Sequence, residues 1–313
     1  MTRAPYSVLA PFYDEVYATW RAFLGPARDE ILRAHRVPCA SVLDLGCGSG
    51  WQSLELARRG SRVLAVDPVR AFLAPLRRTA RAEGLDVRVR HGELLAVPAD
   101  PGEAFDLVLS TFDVFNHLPR HADLAPALAE VARVTRPGGH LLFDVNTQET
   151  IAGVSGHHRV SRLASGGLSA ETGRYDEASG RATVERDWFL PAPGRRRGVY
   201  LRLSEAYVEI AWTRGALVSA LRAAGFLPRL FADAAGWLSF LPEGSRWIVL
   251  ARRTEEATRA RPAAAAEEAP GARRPPDAPA ASDGCPVSSG ASRSGAAGAT
   301  RRGATRSSAT ARR

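Results

Sequence analysis

The sequence predicts an α/β fold: a doubly wound, mostly parallel sheet with an antiparallel β insertion after its fifth strand. Three observations predict it. Short apolar runs alternate with helix-period segments from Ser41 to Val145, which implies parallel strands joined by right-handed crossovers. The first run ends in glycines at alternate positions, Gly46, Gly48 and Gly50, as in a βα turn that brings bare backbone close to a ligand. Beyond Asn146 the period changes to two, which reads as antiparallel strands set into the parallel domain.

The elements follow in order. Residues 1–38 read as a helical extension, because Leu9, Phe12, Tyr13, Val16, Trp20, Phe23 and Leu24 recur at helical spacing. Ser41–Leu45 is the first strand. Gln52–Arg59 is a helix stopped by Gly60. Arg62–Val66 is the second strand, ending in Asp67-Pro68. Val69–Glu83 is a helix with Phe72, Leu73, Leu76 and Ala80 on one face, and Pro75 inside it predicts a kink or a later start. Asp86–Arg90 and Phe105–Ser110 are the third and fourth strands. Leu124–Val134 is a helix closed by Pro137-Gly138-Gly139, and His140–Val145 is the fifth strand. Thr183–Leu190 and Val199–Leu203 alternate polar and apolar residues between turn clusters such as Glu177-Ala178-Ser179-Gly180 and Pro191-Ala192-Pro193-Gly194. Arg195, Arg196 and Arg197 next to the second cluster read as a solvated loop. Thr213–Ala224 is a helix ended by Gly225, and Phe226–Phe231 and Arg246–Arg252 are the last two strands.

The bulk numbers bound the class. A chain of 313 residues with 45% hydrophobic content supports a substantial core. The formal charge is +9, and every basic residue is Arg; such a balance alone points only weakly to acidic partners. Cys39, Cys47 and Cys285 have no metal-ligand spacing, and their odd number argues against a disulfide framework. No signal peptide and no membrane-spanning apolar run is visible, so a cytoplasmic protein is expected. Residues 254–313 contain no aromatic residue and too little apolar surface to offset ordering entropy, so a disordered tail is expected. Without stacking aromatics the tail suits no specific nucleic acid.

The glycine turn carries the chemistry. A dinucleotide fingerprint needs G-x-G-x-x-G, and the third glycine would fall at Trp51 or Ser53 depending on register. Neither register fits. An acid, Asp44, stands two residues before the first glycine. A carboxylate there repels a pyrophosphate and suits a ligand with an amino group and a positive charge. Ligands of such sheets bind beyond the carboxyl ends of the strands, which puts Asp44, Asp67, Glu93 and Ser110–Asn116 on one rim. Asp67, about twenty residues past the glycines, suits two ribose hydroxyls.

Asp44, Gly46, Gly48 and Gly50 match acid-x-Gly-x-Gly-x-Gly, and the stretch resembles motif I of the class I S-adenosylmethionine-dependent methyltransferases. The similarity covers residues 6–252, most firmly 42–145. It implies a Rossmann-like seven-stranded sheet, parallel except near its last strand, with S-adenosylmethionine as cofactor. Ala10-Pro11-Phe12-Tyr13-Asp14-Glu15-Val16-Tyr17 resembles the Tyr-Asp-x-x-Tyr segment that closes over the cofactor in small-molecule members, making Tyr13, Asp14 and Tyr17 lid candidates. The resemblance assigns Asp67 to the ribose and, with Cys47 and Pro68, to the cofactor's surroundings. Glu93 stands where the family's acid reaches adenine, with Leu94 offering a backbone amide. Ser110 and Phe112 fall on the segment that touches the cofactor, and Asp113, Asn116 and His117 on the part that faces substrate. Asp106 reads as a structural acid. Glu205, Thr213, Leu221, Ala224, Gly225 and Phe226 match a later family stretch in which Tyr207 replaces a histidine.

The domain organisation that follows is a helical lid (1–38), a cofactor-binding core (39–145), a substrate-capping insertion (146–210), a completion of the core (211–253) and the tail (254–313). Trp188 in the insertion is expected to face the substrate. No Asn/Asp-Pro-Pro-Tyr tetrad follows the fourth strand, which favours a small-molecule acceptor, a secondary metabolite or amino sugar, methylated on N or O. A hydroxyl acceptor would benefit from a general base. His117 is the best-placed imidazole, ahead of His157 and His158. No metal is expected, and the oligomeric state is not readable. The other classes open to the sequence are a nicotinamide-dependent oxidoreductase and a non-catalytic S-adenosylmethionine-binding protein.

Overall fold

The computed structural model describes residues 2–156, 158–164, 166–192, 194, 198–232 and 245–255. His157, Arg195 to Arg197, Cys285 and the tail from residue 256 lie outside the described residues. The chain begins with β1 (Thr2–Arg3), α1 (Tyr13–Val16) and α2 (Ala18–Ala34). Strands and helices then alternate: β2 (Ser41–Leu45), α3 (Trp51–Arg58), β3 (Arg62–Asp67), α4 (Arg70–Ala82), β4 (Val87–His91), β5 (Phe105–Ser110), α5 (Leu124–Val134) and β6 (Thr135–Asn146). After α6 (Gln148–Ala152) come β7 (His158–Arg162), β8 (Leu168–Asp176), β9 (Arg181–Pro191) and β10 (Tyr200–Ile210). The chain returns through α7 (Arg214–Ala223), β11 (Phe226–Ala232) and β12 (Arg246–Arg253).

Two sheets result. The larger has seven strands in the order β11-β12-β6-β5-β2-β3-β4, and among the described residues β12 alone runs antiparallel to its neighbours. Every residue of β2 and β5 is buried, as expected of parallel strands covered on both faces. Leu43, Leu45 and Leu64 pack toward α5 and α7. Val42, Leu107 and Leu109 pack with Ile31 of α2 and Trp51 of α3. Asp106 accepts hydrogen bonds from the backbone and hydroxyl of Ser41 (2.8 and 3.0 Å) and pairs with Arg136, the structural role expected of it. The chain leaves β2 toward β3 on one side and reaches β5 on the other, so the ligand crevice falls at the carboxyl ends of these two strands.

The second sheet has the order β1-β10-β9-β8-β7. Its four long strands form the antiparallel insertion. β1 adds to β10 in parallel, Thr2 opposite Ser204, so the N-terminal extension begins as a strand of the insertion rather than as a helix. Val8 and Leu9 pack with Leu163 and Trp188, ringed by Phe12, Tyr13 and Tyr17. Two other boundaries differ from expectation. The helix α4 starts at Arg70 and runs through Pro75, which removes only one intrahelical donor. The Pro137-Gly138-Gly139 turn lies inside β6, which begins at Thr135 and shifts register against β5 between Phe105 and Leu107. Among the described residues no helix is long and apolar enough to cross a membrane.

Candidate functional site

The glycine turn leaves β2 with Gly46, Gly48 and Gly50 all at positive φ (79°, 52° and 78°). At Gly46 a Cβ would lie 2.5 Å from a methyl of Val114, so glycine is required both by conformation and by space. Gly46 and Cys47 donate their backbone N–H groups to the Val66 carbonyl at 2.8 and 3.0 Å. Asp67, the last residue of β3, accepts from Gly48 N at 2.8 Å and from Val69 N at 2.7 Å. One carboxylate thus braces two loops. Burial lifts its pKa to about 6, against the pull of the two backbone hydrogen bonds.

A cavity of about 900 Å³ opens above this turn. Its floor holds Gly46, Gly48, Asp67, Pro68, Phe112 and Asp113. Tyr6, Tyr13 and Tyr17 close one side, and Glu171, Arg186, Tyr207 and Glu209 of the insertion form its roof. Tyr13 lies directly over Gly48, where an added Cβ would meet its ring at 3.5 Å. Tyr13 and Tyr17 pack at 4.9 Å between centroids, and Tyr13 meets Phe72 at 5.1 Å. Asp14 accepts a 2.6 Å hydrogen bond from the Ser49 hydroxyl, which pins the aromatic segment to the turn.

Phe112 and Asp113 follow β5 with φ of 66° and 51°, a conformation that strains non-glycine residues by about 1–3 kcal/mol each. Asp144 of β6 holds them there, accepting from Phe112 N at 2.7 Å and Asp113 N at 3.2 Å. Arg246 pairs with Asp144 and, at 2.7 Å, with Asp113. His117 donates from Nδ1 to the Val208 carbonyl at 3.1 Å, since a carbonyl can only accept. In the neutral imidazole Nε2 then carries the lone pair and accepts from the Tyr6 hydroxyl at 2.8 Å. Glu209 accepts from the Asn146 amide at 3.2 Å. Burial and the neighbouring Asp113 charge push Glu209 up to about 7. Asp113, His117 and Glu209 bring ligand atoms within 4.8 Å of one another, the one such group among the described residues. Each already has a protein partner, and a guanidinium on Asp113 disfavours a cation there.

Of the residues singled out in the sequence, Tyr13, Tyr17, Gly46, Gly48, Asp67, Pro68, Phe112, Asp113 and His117 line this cavity. The others do not. Asp44 is 2% exposed behind the turn and accepts from the Ser53 hydroxyl at 2.6 Å, and burial lifts it to about 6. Cys47 and Gly50 also sit behind the turn, Gly50 capping α3. Ser110 donates to the Leu45 carbonyl at 2.9 Å, tying β5 to β2. Glu93 sits in an exposed bridge with Ala96, Leu94 enters the core, and His91 takes the wall position instead. Asn116 is fully buried and joins three elements, donating to the Asn146 and Ile210 carbonyls and accepting from Asn146 N. Trp188 is fully buried, stacks on Phe12 at 5.5 Å and donates to Glu205 at 2.9 Å, so it anchors the N-terminal segment and does not line this cavity. His158 is exposed on β7 and also stands off the cavity wall. Tyr6, Glu171, Arg186, Glu209 and Arg246 carried no sequence signal beyond the period-two pattern of the insertion.

A glycine turn braced by the acid of the next strand, at the switch point of a seven-stranded sheet with one antiparallel strand, defines a nucleoside-cofactor protein of the Rossmann-like α/β class. Comparison with known proteins narrows this. Residues 42–139 match the methyltransferase domain family. A ubiquinone biosynthesis O-methyltransferase of Hahella chejuensis is 34% identical over 38% of this chain and 49% of its own length. The chain thus spans about half the length of that curated relative. The crystal structure of an S-adenosylmethionine-dependent methyltransferase from Clostridium acetobutylicum superposes with a TM-score of 0.65 at 18% identity, over 80% of this chain and 99% of that one. CalS10 from Micromonospora echinaspora, described as an amino pentose methyltransferase with S-adenosylmethionine bound, superposes at 0.58 with 25% identity, over 76% and 97%. Residues 42–139 thus carry a methyltransferase domain, and the fold around it is that of solved S-adenosylmethionine-dependent methyltransferases.

Proposed function

We propose that the chain transfers a methyl group from S-adenosylmethionine to the nitrogen of a small-molecule amine. The cofactor requirement fits the residues present. Gly46 and Gly48 offer bare backbone on the cavity floor, and Asp67 keeps free lone pairs beside its two backbone donors, suited to ribose hydroxyls. Tyr13 and Tyr17 would cover the methionine end. The bound cofactor supplies an activated methyl on a sulfonium, and the protein's part is to position the nucleophile and exclude water.

The observation that carries the amine reading is the acidic end of the cavity. Asp113 and Glu209 flank His117 beneath the stacked rings of Tyr6 and Tyr207, 5.1 Å between centroids. An amine arrives protonated and must lose its proton before it can attack. Arg246 already neutralises Asp113, so Glu209 with the adjacent aromatic faces is the group that attracts an ammonium, and, at about 7, it is matched to accept its proton near neutral pH. The amino pentose acceptor named for CalS10 agrees with this reading. A hydroxyl acceptor is the second reading, favoured by the lone pair of His117 Nε2 that the Tyr6 hydroxyl now caps.

The N-terminal segment and the insertion form the cover in this reading, and a cavity of about 900 Å³ suits a small acceptor beside the cofactor. Incubation with methyl-labelled S-adenosylmethionine and matched panels of amino and hydroxy compounds tests it. Label is expected in amino compounds. Label confined to hydroxy compounds moves the assignment to the second reading, and label in neither panel overturns it.

A further inference from the structure

The cavity-facing side of the insertion sheet carries a row of three charges. Arg159 on β7 stands opposite Glu171 on β8, and Glu171 stands opposite Arg186 on β9. All three line the cavity. Arg186 is 2% exposed; its Nε donates to Glu171 at 2.8 Å, and its Nη2 reaches both Glu171 and, at 3.3 Å, the Tyr17 hydroxyl. Its Nη1 is buried with no hydrogen-bond partner. A buried donor left unpaired carries a desolvation penalty that a ligand oxygen would offset. Arg159 makes no hydrogen bond or ion pair with any described residue. Arg159 thus adds to the row a guanidinium that no described carboxylate pairs, while Glu205, opposite Arg186, is occupied by Val8 N and Trp188 Nε1.

The row is offset along the insertion sheet from Glu209. Arg186 pairs with Glu205 across β9 and β10, and Glu209 is four residues further along β10, a strand distance of about 13 Å.

We infer that the Arg159–Glu171–Arg186 row is a subsite for an anionic group of the acceptor, a carboxylate or a phosphate. Arg159 supplies the free fork, Arg186 the unpaired Nη1, and Glu171 holds Arg186 in place. The inference rests on the amine reading for the opposite end of the acceptor and stands on its own residues for the anion.

The test is calorimetric titration of the full-length protein with inorganic pyrophosphate and, separately, succinate, each with and without saturating S-adenosylhomocysteine. Wild-type protein is expected to bind at least one probe, and the tighter one assigns phosphate or carboxylate. Arg159→Gln should weaken that binding about tenfold, the loss of one charge-assisted contact. Arg70→Gln, which removes an exposed arginine at the opposite wall of the same cavity, should leave it unchanged. No binding of either probe, equal affinity in the Arg159→Gln protein, or a loss confined to Arg70→Gln would overturn the subsite. A protein that binds the probe through Arg159 but binds no S-adenosylhomocysteine would instead sink the methyltransferase reading and leave the subsite standing.

Discussion

Replacing Asp67 with alanine separates binding from folding, because two opposing terms can be read from its surroundings. The substitution strands the N–H groups of Gly48 and Val69, now bonded at 2.8 and 2.7 Å, at about 1–3 kcal/mol each where water cannot replace the acceptor. It also removes a carboxylate that is 5% exposed. The rise from 3.8 to about 6 makes holding that charge at pH 7 cost about 3 kcal/mol. The sign follows from the raised value: the Asp67 contribution to stability is fully present below about 4 and is lost as pH rises through about 6. At pH 7 the two terms nearly offset, so Asp67→Ala should melt within a few degrees of wild type. Cofactor affinity has no such offset. Two charge-assisted hydrogen bonds to a ribose are worth about 3 kcal/mol, so S-adenosylhomocysteine should bind about a hundredfold more weakly. Wild-type affinity should itself decline below about pH 6, as the carboxylate protonates. Titration calorimetry from pH 5 to 8, paired with thermal melts, reads both quantities. Unchanged affinity in Asp67→Ala would refute the ribose role and leave Asp67 as a brace between two loops.

Three further outcomes are expected. Trp188→Ala should destabilise the fold by about 3–5 kcal/mol and raise hydrogen exchange across β7 to β10, with acceptor preference unchanged; a specificity change at wild-type exchange would restore it to the substrate wall. Gly50→Ala puts a Cβ into the Leu76 side chain at φ 78°, and should lower stability by about 1–3 kcal/mol in denaturant unfolding. The rate of methyl transfer should fall on the acid side of about pH 7, where Glu209 becomes protonated, and Glu209→Gln should abolish that limb; an identical profile in the variant would remove Glu209 from proton transfer.

The parallel core was legible because its signals are local. Strand period, the glycine spacing and the acid after the second strand lie within short windows; the carboxyl-end rule then gathers Asp67, Phe112 and Asp113 without knowledge of packing, and the family resemblance adds His117. Pairings distant in sequence were not legible. Arg246 reaches Asp113 and Asp144 only because β12 pairs with β6, and Tyr6 meets His117 across 111 positions. Period two places Trp188 and Arg186 on the same face of β9, and it cannot say that Val8 and Leu9 cover one while the cavity takes the other. Asn116 was misplaced for the same reason: a polar residue on the substrate-facing segment is turned inward by backbone groups of Asn146 and Ile210. Glu93 fails by geometry, since the exposed bridge with Ala96 carries it off the rim that His91 occupies.

The central claim is that the glycine turn and Asp67 hold S-adenosylmethionine rather than a dinucleotide. Calorimetric titration of the full chain with S-adenosylmethionine, S-adenosylhomocysteine and NAD tests it most directly. The first two should bind at micromolar levels, about −8 kcal/mol, and NAD should give no heat of binding. Micromolar binding of NAD with none of S-adenosylmethionine would contradict the account.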